Sequence, residues 1–273
     1  MTPVATALAS ARNDGRAALV GYLPAAYPSV DGSIAAIQAM VEGGCDAIEV
    51  GLPYSDPVMD GPTIQRAAER ALAGGARTSD TLRVVEAVAA TGVPVLVMTY
   101  WNPVERYGVE RFAADLTAAG GAGLITPDLV PEEAGEWVAA ADAHALDKVF
   151  LVAPSSTPER IASTAASCRG FVYATSVMGV TGTRDVTSTL APELVARVRA
   201  LTDLPVGVGL GVRDGQQAAE VAGFADAVIV GSAFVAQLLD AGADHAAGVE
   251  AVRTLTVDLA AGVRSAAGVR AAT

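Results

Sequence analysis

Eight short apolar runs recur along this 273-residue chain, at residues 19–23, 47–51, 93–100, 123–126, 148–153, 170–174, 206–211 and 227–231. Polar alternation is almost absent within them, so each reads as a strand buried on both faces. Such strands need helices on either side of their sheet, and helical patterns lie between them. Ile34, Ile37, Met40 and Val41 fall on one face behind a Ser29 or Asp31 cap. Ile64, Ala67, Ala71 and Leu72 follow Pro62 and stop at Gly74-Gly75, while Phe112, Leu116 and Ala119 stop at Gly120-Gly121. Eight strands alternating with helices over about 250 residues is the pattern of a (β/α)8 barrel, an α/β fold. A doubly wound open sheet is the competitor, but no GxGxxG follows the first strand. Residues 78–91 read as an extra helix in the connection after the second strand's loop, and 247–263 as the helix that closes the outer ring. No linker-like shift of composition interrupts the chain, so residues 1–273 read as a single catalytic barrel domain.

The rarest residue types narrow the chemistry. His144 and His245 are the only histidines, each in an Ala-rich helical stretch, which argues against a His-rich zinc site or a Ser-His-Asp triad. Cys45 and Cys168 have no CxxC partner. Lys148, the only lysine, starts the fifth strand. Barrel chemistry sits at the opposite, C-terminal ends of the strands, so Schiff-base chemistry is excluded on geometry. A net charge of −12 disfavours nonspecific attraction to nucleic acid or anionic lipid. With no signal peptide and no apolar run of about 18 residues, a soluble cytoplasmic chain is expected. Carboxylates and tyrosines remain for acid–base work.

Glu49 stands near the C-terminal end of the second strand, flanked by Ile48 and Val50. A carboxylate there is expensive to desolvate, so its pKa is pushed up, which suits a group that gives and takes a proton near neutral pH. The alternative is a structural carboxylate bonded to loop amides. Asp56 and Asp60 lie four residues apart in the proline-rich loop that follows. Asp56 before Pro57 fits a turn former, and Asp60 before Gly61-Pro62 fits a helix N-cap, beside a functional role for each. Glycines cluster after the sixth, seventh and eighth strands, at Gly179 and Gly182, at Gly207, Gly209 and Gly211, and at Gly231-Ser232. Loops there commonly bind phosphate through backbone amides. Tyr22, Tyr100 and Tyr173 fall near strand ends, where they line a flat apolar pocket or simply pack the rim.

These residues match a family pattern. AIEVGLPYSDPVMDGPTIQ, from Ala47 to Gln65, resembles the signature of the tryptophan synthase alpha subunit. Gly179-Val180-Thr181-Gly182, the run at 206–211 and Val230-Gly231-Ser232 resemble its other motifs in the same order, over nearly the whole chain. The resemblance implies retro-aldol cleavage of indole-3-glycerol phosphate to indole and glyceraldehyde 3-phosphate, without metal or cofactor on this chain. Glu49 then corresponds to the proton shuttle, Asp60 to the acid that hydrogen-bonds the indole N–H, and Tyr173 to the tyrosine beside the substrate. Thr181 corresponds to the loop threonine that closes over Asp60. Gly182, Gly211, Gly231 and Ser232 correspond to the phosphate cup, and Tyr22 and Tyr100 to the indole pocket wall. The family's partner is a pyridoxal-phosphate beta subunit in an α2β2 heterotetramer, with Pro53, Asp56, Asn102, Asp128 and Pro131 implied at the contact surface.

Three departures from the family pattern carry expectations. Ala26 stands where glycine is usual and implies a slightly altered first loop. Val177-Met178 replaces a more polar pair before the closing loop. Val208 replaces a usual aromatic and implies a roomier indole pocket. The loop at 177–189 has almost no bulky apolar anchor, so it is expected to be mobile and open to trypsin at Arg184. Other phosphosugar barrels call for a catalytic lysine or histidine at a strand end, which this chain lacks. A catalytically idle, phosphate-binding barrel is disfavoured by the presence of both Glu49 and Asp60.

Overall fold

Thr2 and Pro3 start the first helix. The Ala5 amide donates to Thr2 Oγ1 at 3.4 Å, and proline occupies an early position where no amide is needed. This helix, α1 (Pro3–Asn13), leads into β1 (Ala18–Pro24), α2 (Val30–Gly43) and β2 (Ala47–Gly51). Two helices, α3 (Pro62–Ala73) and α4 (Thr78–Ala89), precede β3 (Val95–Met98), and α5 (Trp101–Tyr107) and α6 (Val109–Ala118) precede β4 (Gly123–Thr126). Then come α7 (Gly135–Ala143), β5 (Asp147–Val152), α8 (Pro158–Ser167), β6 (Val172–Thr175) and α9 (Leu190–Arg199). β7 (Val206–Gly209), α10 (Gly215–Ala222), β8 (Ala227–Val230), α11 (Ser232–Ala241) and α12 (His245–Ser265) follow. The computed structural model describes residues 1–175, 190–209 and 211–266. Val177, Met178, Gly179, Thr181, Gly182 and Arg184 therefore lie outside the described residues, and so does the expected trypsin-sensitive loop.

The eight strands pair in parallel and in chain order, and β1 pairs with β8, so the sheet closes into a barrel. All eight expected strands form, each end within two residues of its expected place. Strand periodicity divides their side chains between two layers. Val20, Ala47, Leu96, Ile125, Val149, Phe171, Ala227 and Ile229 point inward and form one buried cluster with Val4, Leu8 and Ala11 of α1. The spacing of those three puts them on one helix face, so α1 plugs the barrel at the N-terminal ends of the strands. Leu19, Ile48, Val97, Leu124, Phe150, Val172 and Val228 point outward into the helix layer. Burying each such large side chain stabilises the fold by about 1.5–3 kcal/mol.

Three expectations change here. Val208 belongs to the helix-facing layer, while Gly207 and Gly209 take the inward positions of β7 against Phe171 and Tyr173. Val208 therefore tunes helix packing, and it cannot widen the pocket. The extra helix is α3 rather than the segment at 78–91. α4 buries Val84, Val85 and Val88 against α2, β2 and β3 and so joins the ring, whereas α3 buries only alanines and lies against β1 and α11. Finally, Ala26 keeps a glycine-like turn, with φ at 58° and its amide donating to Ser33 Oγ at 3.1 Å. Such a left-handed alanine costs about 1–2 kcal/mol, which the surrounding loop must offset.

Lys148 sits at the N-terminal end of β5, its Nζ 2.6 Å from Asp142 Oδ1, on the face of the barrel opposite the strands' C-terminal ends. No helix among the described residues is long and apolar enough to cross a membrane.

Candidate active site

The parallel register of β1 and β2 sets Tyr22 directly beside Glu49, both at inward positions near the C-terminal end of the barrel. Glu49 is fully buried, and among the described residues neither carboxyl oxygen has a hydrogen-bond partner. No amide of the described loops holds it, as the structural alternative would require. Desolvation by burial pushes its pKa up to about 8. The free protein thus holds a neutral carboxylic acid out of contact with solvent at neutral pH.

Glycines shape the space around it. A Cβ at Gly51 would collide with Tyr22 Oη, and one at Gly231 would lie 3.0 Å from Tyr22 Cδ1. The Tyr22 ring is therefore slotted between β2 and the loop after β8. Tyr173 on β6 repeats the arrangement, since a Cβ at Gly209 of β7 would lie 2.6 Å from its hydroxyl. Both hydroxyls are held well above the usual tyrosine range, first by burial. For Tyr22 the charges of Asp60 and Glu49 follow; for Tyr173 the charge of Glu49 follows.

Asp60 does not cap a helix. Gly61 is the N-cap residue of α3, and no side chain caps that helix. The backbone around Asp60 is instead clamped on both sides. The Met59 amide donates to Tyr100 Oη at 3.0 Å, and Gln65 Nε2 donates to the Asp60 carbonyl at 2.7 Å. Burial raises the Asp60 carboxyl above its ordinary range, and hydrogen bonding with the Tyr100 hydroxyl partly offsets this. Tyr100 is in turn pushed up to about 12, by burial first and by the Asp60 charge next. Tyr54 packs against the Tyr100 ring at 5.4 Å between centroids. Sequence reasoning alone misses Tyr54 and Gln65. Gln65 carries one usable signal, its place in the first turn of α3, from which an amide reaches back to the loop.

Against the base of the Tyr22 side chain lies the start of α11. Gly231 is its N-cap residue, Ser232 its first helical residue, and no side chain among the described residues caps it. Uncapped amides at a helix start make a ready anion site. Gly211, after β7, adopts φ of +68°, a conformation that favours glycine. The Tyr22 side chain thus has its base against Gly231 and its hydroxyl end against Gly51 of β2.

Asp56 is not drawn into this group. It is exposed and accepts from Ser55 Oγ at 2.6 Å, a contact within its own loop. Asp128 reaches across two loops, its Oδ1 accepting from the Trp101 amide at 2.9 Å, and so caps α5. Asn102 is exposed, Pro131 is half-buried and Pro53 is buried. Exposed apolar side chains punctuate these loops: Val58 is 77%, Met59 41% and Val130 43% exposed.

The chain is similar in sequence and fold to known proteins. A family model described as tryptophan synthase alpha chain matches residues 8–264. The tryptophan synthase alpha chain of Acidothermus cellulolyticus is 64% identical over 264 residues, covering 97% of this chain and 98% of that one. That of Salinispora arenicola is 65% identical over 267 residues, covering 98% of this chain and 100% of that one. A solved structure of Mycobacterium tuberculosis tryptophan synthase superposes with a TM-score of 0.90 at 60% identity, covering 96% of this chain and 98% of that one. Barrel fold and sequence similarity over nearly the whole chain agree, and the chain belongs to the tryptophan synthase alpha chain family.

Proposed function

We propose that Glu49 and Asp60 divide the acid–base work of the alpha reaction of tryptophan synthase. In that reaction indole-3-glycerol phosphate is cleaved to indole and glyceraldehyde 3-phosphate, a carbon–carbon lyase step of tryptophan biosynthesis. The observation that carries this division is the fully buried Glu49 carboxyl, with no hydrogen-bond partner among the described residues. It stands in register with Tyr22, the base of whose side chain packs against Gly231 at the start of α11. Glu49 donates its proton to the ring carbon that bears the glycerol chain. Positive charge then spreads to the indole nitrogen, and the Asp60 carboxylate stabilises it through the indole N–H. The Glu49 carboxylate next takes the proton of the adjacent hydroxyl. That oxygen becomes a carbonyl, the carbon–carbon bond breaks, and its electron pair returns to the ring. Glu49 ends as it began, so the cycle balances with no cofactor on this chain.

Tyr22 and Tyr100 flank the indole, Tyr173 lies beside the substrate, and Gly211, Gly231 and Ser232 receive the phosphate. Thr181 and Gly182 enter on their motif alone. The partner is the beta subunit, which carries pyridoxal phosphate, in an α2β2 heterotetramer through which indole is channelled. Pro53, Asp56, Asn102, Asp128 and Pro131 mark the docking face, and the exposed Val58, Met59 and Val130 on the same loops support that placement. A single catalytic domain working in the cytoplasm completes the reading. Incubating the purified chain with indole-3-glycerol phosphate, with and without beta subunit, tests the activity. Absence of indole in both would overturn it.

Two further results follow. The pH profile of kcat/KM is bell-shaped: it falls above pH about 8, where Glu49 loses the proton it must donate. It also falls on the acid side, where Asp60 gains a proton above the ordinary carboxylate range. A profile flat through the alkaline limb would remove Glu49 as the acid. Gly231→Asp sets a carboxylate against the phosphate and presses on Tyr22. Losing a charge-assisted contact raises KM by about 10–100-fold. Unchanged glycerol phosphate affinity would move the phosphate site elsewhere.

A further inference from the structure

Asp60 stands in the irregular loop between β2 and α3, and the backbone of that loop does little to fix it. Among the described residues, no backbone–backbone hydrogen bond involves residues 53–60. Two side chains tie the loop down instead. The Met59 amide donates to Tyr100 Oη at 3.0 Å, and Gln65 Nε2 donates to the Asp60 carbonyl at 2.7 Å. The first fixes the peptide plane that enters residue 59, the second the plane that leaves residue 60. Peptide units are planar, so these two planes set the frame from which the Asp60 side chain projects. Gln65 is a firm anchor for its half of that frame. Its own amide donates to the Gly61 carbonyl at 2.9 Å, closing the first turn of α3, and Arg70 Nη1 further along the helix donates to Tyr27 Oη at 3.3 Å. A carbonyl oxygen only accepts, so the contact uses the NH2 that distinguishes glutamine from glutamate. Gln65 lines a recess with Tyr54, Ser55, Asp56, Pro57 and Glu69, to which neither Glu49 nor Tyr22 contributes.

We propose that Gln65 is a positioning residue of the alpha reaction: its side-chain amide holds the Asp60 carbonyl and so aims the Asp60 carboxylate at the indole N–H. This rests on the reading of Asp60 as the acid that meets the indole. Positive charge develops on the ring only as the reaction proceeds. A carboxylate already aimed at it needs no reorganisation at that moment, whereas a loosely held one does. Gln65 moves no proton and acts only through residue 60.

The test is a double-mutant cycle on kcat for indole formation, each variant assembled with beta subunit. Gln65→Met keeps the length of the side chain and suits a helix, but it cannot donate. Gln65→Asn keeps the amide and is one methylene short of the carbonyl. With Asp60 present, each lowers kcat by about 10–100-fold, between the loss of one hydrogen bond and the misplacement of a reacting group by about 1 Å. KM stays within a few-fold. Added to Asp60→Asn, each lowers kcat by less than about threefold, because no charge is left to aim. Unchanged kcat in both variants with Asp60 present overturns the proposal. So does an equal loss in both backgrounds, because a merely structural role ignores the charge at residue 60. Intact kcat in Asp60→Asn alone would instead overturn the reading of Asp60, which makes the two failures distinguishable.

Discussion

Glu49→Gln loses indole formation by about 10²–10⁴-fold, the usual contribution of a general acid–base group, while the barrel remains folded. The amide keeps the volume of the side chain in a pocket that tolerates little change, but it can neither give nor take a proton. Both halves of the cycle fail together, so kcat and kcat/KM fall alike and KM barely moves. A second measurement reports on the same carboxyl without using activity. The unfolded chain ionises Glu49 near the ordinary glutamate value of 4.5, whereas the folded chain keeps it protonated up to about 8. Between those values the folded state binds more protons, so this group makes the protein less stable as pH rises. Glutamine removes the effect. A tenfold difference in proton affinity between the folded and unfolded chains is worth about 1.4 kcal/mol, so Glu49→Gln gains a few kcal/mol relative to the unsubstituted chain between pH of about 5 and 9. Parallel stability curves across that range would show that Glu49 is not a buried neutral acid, and near-normal turnover would end its role as shuttle.

Much of this was legible in the residues, and the exceptions have physical causes. The strands announced themselves because both of their faces are buried, so almost every residue in them is apolar. Glu49 stood out for the same reason: a charge between Ile48 and Val50 has no cheap explanation. Asp60 could not be separated from a helix cap by spacing alone. Only the placement of Gly61 as the cap residue, with Tyr100 and Gln65 clamping the loop, resolves it. Those clamps join residues brought together by the closed sheet, and no local pattern encodes them. The two helices after β2 are easily exchanged because both are amphipathic. Which one lies on the sheet is decided by the bulk of Val84, Val85 and Val88 against small alanines. Family analogy misplaces Val208, although alternation along β7 puts it in the outer layer with Val206.

Asp60→Asn separates binding from chemistry. Asparagine has nearly the same size, so the clamps on the Met59 amide and the residue 60 carbonyl stay in place, and they fix the loop without using the carboxylate. Its side-chain oxygen still accepts the indole N–H, so the substrate in its neutral ground state loses little. What disappears is the negative charge, and that charge matters when the ring carries a positive one. In a pocket dry enough to raise the proton affinity of Asp60 against the opposing Tyr100 hydrogen bond, the difference is large. Removing one preorganised electrostatic contact of this kind costs about 10²–10³ in kcat. The expected outcome is a kcat lowered to that extent with KM within a few-fold, in steady-state assays of indole release with beta subunit present. The acid limb of the pH profile should vanish as well, because the amide does not titrate, while the alkaline limb set by Glu49 stays. A raised KM with kcat intact would make Asp60 a binding residue. An acid limb that survives the substitution would assign that ionisation to another group, and the division of labour between the two carboxyls would fall with it.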